Sequence, residues 1–61
     1  MTKAEYKQAV NRRIMNELSH VEADLYYHSE KANNAKIQAV ADMIKEACRM
    51  WHEITGATID P

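Results

Sequence analysis

The chain has 61 residues, a net charge of −1 at pH 7 and 28% charged residues, which allows one small domain and gives no overall field to attract nucleic acid. A domain of this size buries only about 60% of the surface that its unfolded chain exposes, so it usually needs a staple or a partner. The single cysteine excludes a disulfide within the chain, and no His/Cys cluster suggests a structural zinc. We therefore expect no cofactor and no metal, and we expect self-association or docking on another protein to supply further burial.

The first predicted element is a helix from about residue 3 to about residue 28. The only glycine and the only proline lie near the C-terminus, and good helix formers such as Ala, Glu, Lys, Met and Leu are frequent. Apolar residues recur at spacings of four, three and four, as they do along one face of a helix. These residues are Ile14, Leu18, Val21 and Leu25, and His28 continues the spacing.

A loop at about residues 29–33 is predicted from a change of helical phase. Nine residues separate His28 from Ile37, and at about 100° per residue the two positions are roughly half a turn out of step. One continuous helix would therefore carry its two apolar patterns on opposite sides. Serine and asparagine in this region favour caps and loops. The alternative is one long bent helix in an extended coiled coil.

The second predicted element is a helix from about residue 34 to about residue 55, followed by a short tail over residues 56–61. Gly56 suits the position after a helix end, where φ is positive. The apolar face of this helix consists of Ile37, Val40, Ile44, Ala47 and Trp51. The whole chain is thus predicted to be one all-α domain, a two-helix antiparallel hairpin. Because a lone hairpin leaves the far side of both apolar faces in water, we expect a homodimeric four-helix bundle with both faces in its core.

The length, the opening "MTK", the central break and the spacing of the apolar residues resemble the Rop (repressor of primer) family of plasmid RNA-binding proteins. The resemblance implies a helical hairpin that dimerises. In that family, basic and polar residues and one aromatic residue on the outer face of the first helix contact RNA. A shift of one residue places those positions at Thr2, Ala9, Arg13, Glu17 and Asp24, of which only Arg13 is basic. The resemblance therefore implies the architecture rather than the RNA contacts.

The second helix is expected to carry more apolar surface than one neighbouring helix can cover. With Ile44 at the centre of its face, Ala39, Met43, Met50 and Ile54 form a second stripe on one flank. Methionine is over-used on protein-binding surfaces, and an apolar patch at an edge is a candidate partner site. The alternatives are that this helix sits deeper in the bundle or that four hairpins assemble.

Two side-chain pairs have the spacing of metal ligands, namely Glu17 with His20 and Cys48 with His52. The first pair points away from the apolar face, and the second is better explained by a half-buried thiol beside a surface histidine. No nucleophile–base pair or phosphate loop is present in the sequence, so we do not expect an enzyme.

We therefore expect a small regulator of the phage or mobile-element antirepressor or inhibitor type, which binds and inhibits a partner protein. The predicted partner-binding residues are Met43, Met50, Ile54, Ala39, Arg12, Arg13 and Tyr27. The alternative is a Rop-like RNA-binding protein that uses Lys3, Lys7, Arg12 and Arg13. A purely structural oligomer would need no partner. Because no apolar run approaches the roughly 20 residues of a membrane span and no export signal is visible, the expected location is the cytoplasm.

Overall fold

A computed structural model describes residues 1–59, which form two antiparallel helices joined by a two-residue turn. Helix α1 spans Lys3–Ala32 and helix α2 spans Ala35–Thr55. The two helices pack side by side in a body of 46 × 17 × 15 Å. The predicted all-α two-helix hairpin is confirmed, and the alternative of a single long helix is wrong. Asp60 and Pro61, which belong to the predicted tail, lie outside the described residues.

Helix α1 begins at a threonine cap. The Oγ1 atom of Thr2 accepts a hydrogen bond from the Glu5 N–H at 3.1 Å, and the Thr2 hydroxyl donates to the Glu5 carboxylate at 3.0 Å. This pairing of a cap residue with a glutamate three residues later is related to the capping box, which satisfies N–H groups that have no partner within the helix.

Helix α1 continues to Ala32, four residues beyond its predicted end, and Ser29, which was expected in the loop, lies within the helix. The Ser29 side chain is buried against α2, and its hydroxyl donates to the Asn34 carbonyl at 3.4 Å. The helix stops instead at Asn33, whose backbone is left-handed (φ 48°, ψ 51°). The Asn33 N–H donates to the Glu30 carbonyl and the Asn34 N–H donates to the Ser29 carbonyl, which is the Schellman pattern of a helix end.

Helix α2 begins directly after this stop. The side-chain oxygen of Asn34 accepts hydrogen bonds from the N–H groups of Lys36 at 2.9 Å and Ile37 at 3.4 Å. Asparagine tolerates the left-handed conformation and is also among the best helix caps. Two consecutive asparagines therefore end one helix and start the next, and they make the turn shorter than the predicted loop.

At the contact between the helices, Met15 of α1 and Cys48 of α2 are buried in one cluster, and Ala41 of α2 is completely buried nearer the turn. Leu18, Ile44 and Trp51 pack at the edge of this cluster and remain partly exposed. The apolar face of α2 was predicted to be centred on Ile44, whereas the buried residues Ala41 and Cys48 lie about 40–60° further around the helix. The physical reason is size, because the small side chains of Ala41 and Cys48 allow the two helix axes to approach more closely than a row of isoleucines would.

The described part of the tail packs back onto the helix pair. Gly56 ends α2 in the left-handed conformation (φ 73°), and its N–H donates to the His52 carbonyl at 2.7 Å. Ala57 is then buried in the same cluster as Met15 and Cys48. Its carbonyl lies 2.7 Å from His52 Nδ1, which must donate because a carbonyl can only accept. The tail is thus a third packed segment at the open end of the hairpin.

Ion pairs occupy the solvent side of both helices. Arg13 pairs with Glu17 at 3.0 Å on α1, and Arg49 pairs with both Glu46 and Glu53 on α2. Exposed pairs of this kind contribute about 0–1 kcal/mol each, so apolar burial carries most of the stability. Neither helix combines the length and the apolar character that crossing a membrane requires.

Candidate partner-binding surface

The apolar residues on the flank of α2 form one continuous exposed stripe, which we call the outer stripe. Its members are Ala39, Met43, Met50 and Ile54. Met43 is 70% exposed and Ile54 is 73% exposed, so neither contributes much to packing between the helices. Met43 and Met50 lie seven residues apart, which places both side chains on one line along the helix, roughly 10 Å apart. The stripe is therefore a row of flexible apolar side chains that the hairpin itself does not use.

A cluster of paired charges borders the outer stripe. Arg49 donates hydrogen bonds to the carboxylates of Glu46 and Glu53, which lie one turn before and one turn after it. The hydrogen bond from Arg49 lowers the pKa of Glu46, and the two carboxylates raise the pKa of Arg49. These three side chains satisfy one another, so the border offers a partner little unpaired charge.

The structure does not bring the predicted binding residues of α1 next to the outer stripe. Arg12 lies beside the tail, in a shallow groove that also includes Gln8 and Thr58. Arg13 is engaged with Glu17, and the exposed ring of Tyr27 lies 5.7 Å from the Lys31 ammonium and 5.6 Å from the His28 ring. Arg12 thus lies near the end of α2, where Thr55 lines the same groove, whereas Arg13 and Tyr27 are rotated by about 160° and 120° around α1 from the buried Met15. The predicted binding residues of α1 are therefore spread around the helix.

The basic residues of the alternative RNA site are not gathered on one surface either. Lys3 and Lys7 are four residues apart and share one side of α1, whereas Arg12 and Arg13 are rotated from Lys7 by roughly 140° and 120° in opposite directions. All four side chains are exposed. A phosphate backbone that follows a groove needs several cations on the same side.

The two pairs with metal-ligand spacing are engaged in other contacts. Glu17 is bound to Arg13, and His52 Nδ1 is bound to the Ala57 carbonyl. The Cys48 thiol is buried beside Ser19 and Glu22, and burial together with the Glu22 carboxylate raises the pKa of the thiol. Within residues 1–59 no group of three or more His, Cys, Asp or Glu side chains is placed to hold a metal ion.

One polar contact joins the helices near the turn. The Tyr26 hydroxyl donates to the Asp42 carboxylate at 2.5 Å. This hydrogen bond, followed by desolvation and the negative charges of Asp42 and Glu22, raises the pKa of Tyr26 from 10.0 to about 12. The phenol therefore keeps the proton that it donates to Asp42 well above the pH at which a free tyrosine loses its own.

This contact predicts a pH dependence of stability in alkaline solution. Because the pKa of Tyr26 is higher in the folded state, its contribution to stability is complete below pH 10 and is lost as the pH rises through about 12. We expect the wild type to lose more unfolding free energy over this interval than Tyr26→Phe, as measured by urea denaturation. Tyr27→Phe, which removes a neighbouring exposed hydroxyl, should behave like the wild type. Equal losses in the two variants would contradict the prediction.

The residues predicted to form a dimer core lie along one side of the hairpin. Leu18, Leu25, Ile37, Ile44, Ala47 and Trp51 are partly buried, whereas Ile14, Val21 and Val40 are exposed. Their burial in a dimer stays a prediction. The residues of the actual helix contact, namely Met15, Ala41, Cys48 and Ala57, were not in the predicted set. The spacing of Ala41 and Cys48, two small residues seven apart, is a signal that could have located it.

Comparison with protein-family models, with curated proteins and with solved structures gives no match. The structure agrees with a Rop-like architecture at the level of the two-helix hairpin.

Proposed function

We propose that this protein is a small non-enzymatic regulator that acts by binding, and thereby inhibiting, a partner protein. The observation that carries the proposal is the exposure of the outer stripe, in which Met43 is 70% exposed and Ile54 is 73% exposed. Exposed apolar side chains grouped in a row, rather than scattered singly, are typical of protein-binding surfaces.

The chemistry of the stripe supports a protein rather than a small molecule as the partner. Methionine has three rotatable bonds and a polarisable sulfur, so it adapts to surfaces of different shapes. The stripe is convex and runs along a helix, whereas small ligands bind in concave sites. A groove or a second helix with apolar side chains at matching intervals of three and four residues would fit it.

Two double variants separate this proposal from the alternative of RNA binding. Met43→Lys with Met50→Lys places two charges in the stripe, and Arg12→Glu with Arg13→Glu reverses charge on α1. All four positions are exposed, so the hairpin should remain folded. We expect the methionine variant to weaken binding of the partner by about 30-fold, because a lost hot-spot contact is worth about 2 kcal/mol. The arginine variant should bind the partner like the wild type.

The assay is capture from nuclease-treated host lysate, followed by titration of the captured protein with purified wild type and variants. Unchanged affinity of the methionine variant would contradict the proposed surface. If capture disappears with the nuclease and the arginine variant loses activity instead, the protein is an RNA-binding regulator.

A further inference from the structure

The tail residues that follow Gly56 form a short segment across the open end of the hairpin, and we call residues 57–59 the strap. Ala57 is 7% exposed and packs in the same cluster as Met15 and Cys48. The other two residues of the strap are exposed. The strap therefore contributes one small side chain to the apolar core, and a methyl group is the smallest apolar group that a side chain can bury.

Two hydrogen bonds of Ala57 hold the strap against the end of α2. Its N–H donates to Thr55 Oγ1 at 3.1 Å, and its carbonyl accepts from His52 Nδ1 at 2.7 Å. Both bonds go to side chains at the end of α2 rather than to the helix backbone. The strap can therefore be released without the loss of any backbone hydrogen bond within the helices.

Open space borders the strap toward both helices. The groove beside Arg12 separates Thr58 from α1 and has a volume of about 270 Å³. A second cavity of about 280 Å³, lined by Cys48 and Ile59 among others, lies between the strap and α2. Well-packed protein interiors have few voids larger than a water molecule. The strap is thus fitted less closely than the helices are to each other.

Gly56 connects the strap to α2 in a conformation that suits glycine. Its φ is 73°, in the left-handed region that residues with a Cβ adopt only at a cost. A Cβ at this position would have no atom within 4 Å. Substitution of Gly56 by alanine therefore changes the backbone preference at the start of the strap and introduces no steric clash.

The Cys48 thiol lies beneath the strap. Cys48 is 9% exposed, with Ser19 and Glu22 beside its thiol on the α1 side. The cavity that it lines is bounded by the strap, which covers the approach to the sulfur from this side. Burial and the Glu22 carboxylate raise the pKa of the thiol. Because the thiolate is the reactive form of cysteine, the covered thiol should react slowly.

We propose that the strap opens as a unit while the two helices stay packed, and that this opening gives solvent access to Cys48. Opening releases one methyl group and two hydrogen bonds and frees the backbone of three residues. Separating the helices would instead expose the whole cluster around Met15 and break the hydrogen bond from the Trp51 indole to the Asn11 carbonyl. Segments with few buried contacts open at a lower free energy than the whole domain. This inference does not depend on the partner protein of the proposed function.

The test is alkylation of Cys48 by iodoacetamide in increasing concentrations of urea, followed by mass spectrometry. The thiolate sulfur displaces iodide, and the thiol proton passes to the buffer. We expect alkylation to be slower than in the protein unfolded by high urea. At low urea its rate should be independent of the urea concentration, because opening of the strap exposes little surface. The rate should rise steeply only where unfolding of the whole hairpin becomes the main route.

Two matched variants place strain at opposite ends of the hairpin. Gly56→Ala strains the closed strap and should raise the alkylation rate at low urea about tenfold, because alanine disfavours the left-handed conformation. Asn33→Ala makes a related change at the turn, where φ is 48°. It should lower the free energy of unfolding of the whole hairpin and leave the alkylation rate at low urea unchanged.

Any of three results would overturn the proposal. The first is an alkylation rate that follows the urea dependence of global unfolding from zero urea upward. The second is a native thiol as reactive as the thiol of the unfolded protein. The third is an equal increase of the rate at low urea in Gly56→Ala and Asn33→Ala. If either variant fails to fold, the urea dependence of the wild type still decides the question.

Discussion

Replacing Met15 by alanine is expected to lower the free energy of unfolding by about 2–5 kcal/mol. Met15 is 3% exposed and is the largest side chain of the buried cluster, where it contacts both Cys48 and the tail residue Ala57. The substitution removes the apolar contacts of this side chain with both α2 and the tail and leaves a cavity between them. A chain of this length has a total stability of roughly 3–9 kcal/mol, so the variant should be largely unfolded or have a Tm lower by tens of degrees.

The matched control is Met43→Ala, the same substitution at an exposed position. It should change the free energy of unfolding by less than about 0.5 kcal/mol, because its side chain is already in water. Both values come from thermal and urea denaturation followed by circular dichroism at one protein concentration. Equal effects of the two substitutions would mean that Met15 does not form the core of the hairpin.

Replacing Ala41 by leucine is expected to destabilise the protein by about 1–3 kcal/mol, although leucine is larger, more apolar and a good helix former. Ala41 is completely buried where α2 lies against α1. The extra side chain must push the helices apart, and this movement would also loosen the Cys48–Met15 contact and the Tyr26–Asp42 hydrogen bond, which both span the same gap.

Ala39→Leu provides the comparison, because it makes the same change on the same helix at an exposed position. Its unfolding free energy should stay within about 0.5 kcal/mol of the wild-type value. A stabilised Ala41→Leu variant would contradict close packing at this position and would indicate that the helices have room between them.

Particular residues show how far the sequence carried the prediction of the fold. The apolar spacing from Ile14 to Leu25 and from Ile37 to Trp51 predicted two helices, and the half-turn change of phase between them predicted the break. Gly56 predicted the end of α2, where its left-handed backbone is indeed found. Each of these features depends on neighbours within a turn or two along the chain, so local reasoning could find it.

The exact position of the turn was harder to predict, although the sequence shows the serine and asparagine residues that favour one. Ser29 is as good a loop residue as Asn33 by propensity alone. The difference between them is that Ser29 faces α2 and is buried in the contact, whereas Asn33 lies where the chain must reverse. That distinction requires knowledge of which side of α1 meets α2.

Part of the candidate site could likewise be predicted from the sequence, and part of it could not. The sequence placed Ala39, Met43, Met50 and Ile54 on one flank of α2, and the structure shows this flank in solvent. It did not show that Arg12 lies beside the end of α2 while Arg13 and Tyr27 are turned away from the helix contact, since their position relative to α2 depends on the rotation of α1 about its own axis.

By itself, the sequence determined that the chain is helical, where its helices start and how their apolar residues are spaced, because these properties follow from the backbone period of one helix. Only the tertiary structure decided which stripe of each helix lies at the contact, that Ala57 closes one side of the hairpin, and that Val10, Ile14, Val21 and Val40 remain uncovered on the other. Rotation of a helix by 40–60° costs almost nothing in local energy. Its value is set by the packing of Met15 against Cys48 and Ala57 and by the close approach of the helices at the fully buried Ala41, and these contacts depend on which residues far apart in the chain meet.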